Sequence, residues 1–117
     1  MPPDKRLQLL PGTLEMLVLQ TLVFGPRHGH GIATTIQRTS DEALLIDHGS
    51  LYPALQRLER ASLIDSHWGK SEHNRRARFY ALTPAGRKRL AHETSRWEQI
   101  VRAIKGVLEA RPEEERA

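Results

Sequence analysis

The sequence predicts a mainly α-helical chain with one small β-hairpin. Three observations carry that expectation. Leu51, Leu55 and Leu58 recur at i, i+4 and i+7 within GSLYPALQRLERASLI, which places them on one face of a helix. The run ARFYAL, from Ala77 to Leu82, alternates around Phe79 and follows the polar stretch GKSEHNRR. Leu90, Trp97, Val101, Ile104 and Leu108 stand at spacings of 7, 4, 3 and 4, a heptad-like stripe on a long last helix.

The chain has 117 residues, enough for one compact domain and too few for two well-cored ones. Its formal net charge is +4, and the acidic run Glu113 to Glu115 hides how basic the middle is. Such a balance suits nucleic acid or an acidic membrane surface, and charge alone does not choose between them. The absence of cysteine excludes disulfides, thiolate chemistry and cysteine-ligated zinc. No apolar run reaches membrane-spanning length. The opening MPPDKRLQLLPG lacks the apolar core and cleavage site of a secretory signal. A cytoplasmic location with no membrane partner is the expectation. With 5% aromatic residues, the core must be mostly aliphatic.

Residues 1–11 read as a flexible arm, with prolines at 2, 3 and 11 and charges between them. Residues 12–83 read as the principal domain. Its first helix opens at Gly12-Thr13, with Thr13 as cap and Glu15 near the positive end, and stops at Gly25-Pro26. Leu14, Leu17, Val18 and Leu22 form its stripe. His28 to Gly31 reads as a turn, and a second helix runs from about Ile32 to Arg38. The His-x-His spacing here invites a metal, but no third ligand stands at a recognisable spacing, so no metal site is expected. Gly-His-Gly lacks the preceding strand and third glycine of a dinucleotide fingerprint, and no other cofactor is expected.

A third, central helix follows from Gly49, with Ser50 as cap and Pro53 early enough that its missing N–H costs little. Tyr52, Gln56, Arg57 and Arg60 fall off its apolar face and are left for water or a partner. Leu63 to Trp68 and Ala77 to Leu82 then make the hairpin. Lys70, Arg75, Arg76 and Arg78 cluster at its tip against one acid, Glu72. Thr83-Pro84 opens the last helix, expected over 84–111, and 112–117 is an acidic tail.

Three helices, a hairpin with a basic tip and a long helix, in that order, make a winged helix-turn-helix with a long C-terminal dimerisation helix. The central helix offers hydroxyl, amide and guanidinium groups to a major groove, and the wing places cations beside phosphates. Either feature alone reads as a solvated helix face or a solvated turn; their order in one basic domain points to double-stranded DNA. RNA or protein partners suit the same fold, and weak binding to random duplex beside tight binding to one site would separate them. No nucleophile elbow, zincin helix or paired-carboxylate motif is visible, so no catalytic residue is assigned and no enzyme is expected.

LPGTLEMLVLQTL, GPRHGHGIA, GSLYPALQRLERASLI and RRARFYALTPAGRKRL, taken together over about residues 7–95, resemble the PadR family of transcription regulators. The likeness is to the short subgroup, which has no separate domain after the last helix. It implies a homodimeric DNA-binding protein, usually a repressor, that dimerises through the C-terminal helix and often releases DNA on binding a small molecule. Carried onto this chain, it places Ser50, Tyr52 and Gln56 on the DNA-reading helix and Lys70, Arg75 and Arg76 on the wing. Arg57, on the same polar front, completes the candidate DNA contacts. Two residues depart from the family: His30 stands where tyrosine is common, and Ser62 where glycine follows the central helix. Serine tolerates a left-handed turn less well, so that helix end is expected to be shaped differently.

Leu90, Trp97, Val101, Ile104 and Leu108 are the expected dimer contacts, the alternative being a stripe folded back on its own domain. A two-fold dimer would put two reading helices about 34 Å apart and call for a pseudo-palindromic operator. Short relatives use aromatic residues on this helix to stack flat ligands. Trp97 is therefore the candidate contact for a small aromatic effector, the plainer alternative being core packing.

Overall fold

The structure, a computed structural model, describes Leu9 and residues 12–115. The arm expected over 1–11 lies outside the described residues except at Leu9, as do residues 116 and 117 of the tail. In chain order the elements are α1 (Thr13–Thr21), β1 (Arg27–His28), α2 (Gly29–Thr39), α3 (His48–Arg60), β2 (Ile64–Lys70), β3 (Arg76–Leu82) and α4 (Pro84–Leu108). A 3-10 turn, Pro112–Glu115, follows α4. The fold is the mainly α winged helix-turn-helix that the sequence predicts.

Side chains that receive unpaired backbone N–H groups set where three of the helices begin. Thr83 caps α4 as expected: its hydroxyl accepts from the Gly86 N–H at 3.0 Å and donates to the Ser62 carbonyl at 2.8 Å. The other starts differ from the sequence reading. Thr13 is already inside α1, and the N-cap is Gly12, in left-handed backbone at φ 87°. The helix also ends early, at Thr21, because the chain turns through Leu22 to Gly25, where φ is 135°. The supposed turn at His28–Gly31 is the first turn of α2. His28 caps it, with Nδ1 accepting from the Gly31 N–H at 3.0 Å. Ser50 does not cap α3. Asp47 does, accepting from the Ser50 N–H at 2.8 Å, so α3 starts at His48. Pro53 consequently lies beyond the first turn and has no N–H to give the carbonyl of Gly49, an exposed residue.

One apolar core joins all the helices. Val18, Leu19 and Leu22 meet Ile32 and Ile36 of α2, Leu51, Leu55 and Leu58 of α3, and Ile64 and Tyr80 of the sheet. Leu9 and Leu82 pack at its edge. The core includes Leu90, only 8% exposed, so this member of the expected dimer stripe belongs to its own domain. Burial pushes the Tyr80 phenol above its ordinary pKa.

The sheet has three antiparallel strands in the order β1-β3-β2. The sequence reading held two of them and missed β1, whose Arg27 and His28 lie opposite Tyr80 and Phe79. The hairpin strands also run further than expected, so Lys70 and Arg76 are cross-strand partners rather than loop residues. The connecting turn is closed by Ser71 N–H to Arg75 carbonyl at 2.8 Å and Asn74 N–H to Ser71 carbonyl at 2.9 Å.

Candidate nucleic-acid interface

Burying Leu51, Ala54, Leu55 and Leu58 turns the other faces of α3 outward. Ser50, Tyr52, Gln56, Arg57 and Arg60 are all exposed. Ser50 is tied to the cap, its hydroxyl donating to Asp47 Oδ2 at 3.2 Å. Tyr52 leans across the start of α2. A Cβ on Gly29 would stand 2.9 Å from its phenol oxygen, and its ring lies 5.6 Å from that of His48. Gln56 lies one turn further along the same outer surface. Arg57 is engaged differently from these three. Its Nε donates to Glu15 Oε1 of α1 at 3.0 Å, and a second guanidinium N–H reaches the same oxygen.

The wing stands beside α3 and is fastened to it. Glu59 accepts from the Ser66 hydroxyl and from Arg78 Nη2 at 3.2 Å, and Arg78 Nε donates to the same hydroxyl at 2.9 Å. The Ser66 hydrogen bond is the main reason the Glu59 carboxyl is held below the usual range; burial opposes it and Arg78 adds to it. Arg78 is therefore not a free tip cation. Lys70, Arg75 and Arg76 are exposed and have no carboxylate partner among the described residues. The one acid at the tip, Glu72, is drawn instead towards His28 at 3.5 Å and His73 at 4.0 Å.

Alternation along the hairpin sorts its two faces. Ser66, Trp68 and Lys70 share one face with Arg76, Arg78 and Tyr80 across the register, and this face turns towards α3. On the opposite face His67 stacks on Phe79 with centroids 5.9 Å apart, and His28 meets the same ring edge-on at 5.4 Å. Sequence reasoning missed the two-layer division, the capping roles of His28 and Asp47, and the Glu59–Ser66–Arg78 link. Asp47 was readable as an N-cap three residues before Ser50. The link was not, because Glu59 and Arg78 come together only through the tertiary fold.

Residues 18–92 match the family model for the PadR-like transcriptional regulators. The chain belongs to the PadR-like family. A transcriptional regulator from Clostridium thermocellum has the same fold, with a TM-score of 0.74, 30% identity, and coverage of 80% of this chain and 91% of its own. A PadR family regulator from Eggerthella lenta superposes with a TM-score of 0.73 at 28% identity, covering 86% of this chain and 85% of its own. A protein of a Streptomyces fradiae transposon is 43% identical over 79 residues, 68% of this chain, which spans only 21% of that larger relative. Membership makes this PadR-like protein a DNA-binding transcription regulator and not an enzyme. Among the described residues no helix is long and apolar enough to cross a membrane, and no group of three His, Asp or Glu is placed to hold a metal.

Among the described residues nothing covers the outer part of α4. Beyond Leu90, Trp97 is 39% exposed, Ile104 is 52% exposed, and Ile100, Val107 and Leu108 are exposed as well; Val101 is half-buried.

Proposed function

We propose that this PadR-like regulator is a homodimeric repressor that binds a pseudo-palindromic operator. The observation that carries the reading is the apolar stripe of α4, which nothing among the described residues covers. Trp97, Val101, Ile104 and Leu108 follow a heptad-like seam on a helix of 25 residues, about 37 Å long, of which the domain covers only the beginning. Large aliphatic side chains repeated along one exposed seam favour a second copy, and a two-fold axis is the simplest way to close it. Two α3 helices would then enter successive major grooves, with Ser50, Tyr52 and Gln56 at base edges and Lys70, Arg75 and Arg76 at phosphates. Arg57 is left out of this set because Glu15 already holds it. Repression is the role that asks least of the chain, since a bound dimer excludes other proteins from the DNA it covers. Trp97 would lie in the same seam, with an indole face suited to a flat aromatic effector.

Selection of bound sites from random duplex tests the proposal. The recovered sites should be two-fold repeats, and the protein should sediment as a dimer at micromolar concentration. The Arg75→Ala/Arg76→Ala variant should bind every sequence more weakly, with its salt dependence flattened by about one unit per lost contact. Gln56→Ala should relax preference at one or two base pairs only. An unchanged salt slope in the double variant would remove the wing from the interface. For the effector, Trp97 fluorescence in a Trp68→Phe background should be quenched saturably by a planar aromatic compound; without quenching, Trp97 is packing.

A further inference from the structure

We propose that Trp68 is a positioning residue for DNA binding: its indole holds the Arg76 guanidinium flat on the wing, with its hydrogen-bonding edge open to a phosphate. The proposal rests on the wing being a DNA contact. Trp68 is 56% exposed in the middle of a polar hairpin, so core filling does not account for it. It shares the α3-facing side of the wing with Lys70, Arg76 and Arg78. Arg76 Cζ lies 4.6 Å from the ring centroid and Arg78 Cζ lies 5.9 Å from it.

The two arginines differ in what else holds them. Arg78 is fixed and neutralised by Glu59 and Ser66. Arg76 has no carboxylate among the described residues and lies over the Trp68 indole instead. That difference matters for binding an anion. A carboxylate that orders an arginine also occupies its N–H groups and cancels its charge. An aromatic face orders it while leaving both available. An arginine ordered beforehand loses less rotamer freedom when it meets a phosphate. Arg75, in the turn, has no such support among the described residues.

Phosphate contacts do not depend on sequence, so a random-sequence duplex long enough for two half-sites is the probe. Trp68→Ala should weaken binding about two- to fivefold for each wing engaged. Trp68→Phe should restore most of the loss, because it keeps an aromatic face. Trp68→Leu should not, although it keeps apolar area. In an Arg76→Ala background, Trp68→Ala should add nothing further. Thermal unfolding followed by circular dichroism should coincide across the set. If Arg76→Ala itself leaves affinity and salt slope unchanged, the wing is not a DNA contact and the proposal falls with that reading. If Arg76→Ala weakens binding but Trp68→Ala is silent, tightens binding, or is additive with it, the positioning role alone is overturned. Equal loss in Trp68→Phe and Trp68→Leu overturns it too.

Discussion

The phenol of Tyr52 lies over Gly29, close enough that a Cβ there would stand 2.9 Å from the hydroxyl oxygen. The first residue of α2 therefore decides where an outward-facing side chain of α3 can rest. Because the tyrosine tip is the part that must yield, Gly29→Ala should change stability by less than about 1 kcal/mol. It should nevertheless weaken operator binding about as much as Tyr52→Ala does. Denaturant unfolding and DNA titration on the same samples check this; normal DNA binding by Gly29→Ala would free Tyr52 from that role.

Gly86 behaves differently because its neighbour is backbone. A Cβ at this position would lie 2.0 Å from the Leu63 carbonyl oxygen and 2.7 Å from Leu82 Cδ1. The start of α4 would have to back away from the Leu63 backbone, which links α3 to β2. Gly86→Ala should cost about 3 kcal/mol, the upper end of overpacking penalties, read as a fall in the denaturant midpoint.

Ser62 sits in left-handed backbone at φ 60°, just past the C-cap of α3, where a glycine would be free of strain. Its carbonyl accepts from Thr83, and no substitution there removes that bond. Ser62→Gly should stabilise the fold by about 0.5–1 kcal/mol, since relief of left-handed strain exceeds the extra freedom of the unfolded chain. A lower melting temperature for this variant would contradict the assignment.

Two positions on α4 should separate folding from assembly. Leu90 is in the core, so Leu90→Glu buries an unpaired carboxylate and should cost at least about 3 kcal/mol. Ile104 is half-exposed in the single chain, so Ile104→Glu should leave the domain folded and give monomers by sedimentation. A dimeric Ile104→Glu protein would move the seam elsewhere.

Glu59 supplies a pH signature. Its folded pKa lies below the unfolded value, so the link to Ser66 and Arg78 stabilises fully above that value and is lost as pH falls through the depressed one. The stability gap between wild type and Glu59→Gln should be constant near neutrality and close below about pH 4. A gap that persists in acid would mean the carboxylate charge contributes nothing.

Much of this was legible in the sequence where local pattern and tertiary role agree. Leu51, Leu55 and Leu58 announce the buried face of α3, Thr83-Pro84 marks the start of α4, and ARFYAL marks β3. Legibility failed where a side chain serves a distant partner. Arg57 looks like any outward cation until α1 brings up Glu15. Arg78 resembles its neighbours at the wing tip until Glu59 claims it. Leu90 belongs by spacing to the α4 stripe and by packing to the core, and spacing alone cannot divide a helix that serves both. Arg27-His28 is too short to show a strand period, and histidine is an uncommon cap. The exposed surface of α3 and the free cations of the wing were readable as a set; which of them are held, and by what, was not.

The central position of β3 makes the hairpin something other than a hinged flap. β3 is bonded to β2 on one side and to β1 on the other, and β1 ends at His28, the residue whose ring caps α2. A force applied to the wing by a bound backbone is therefore transmitted through Phe79 and Tyr80 to Arg27 and His28. It arrives at the first turn of α2, beside Gly29 and the phenol of Tyr52. If the wing grips phosphates and Tyr52 reads a base, as proposed above, the two are mechanically in series, two strand pairings and one capping histidine apart.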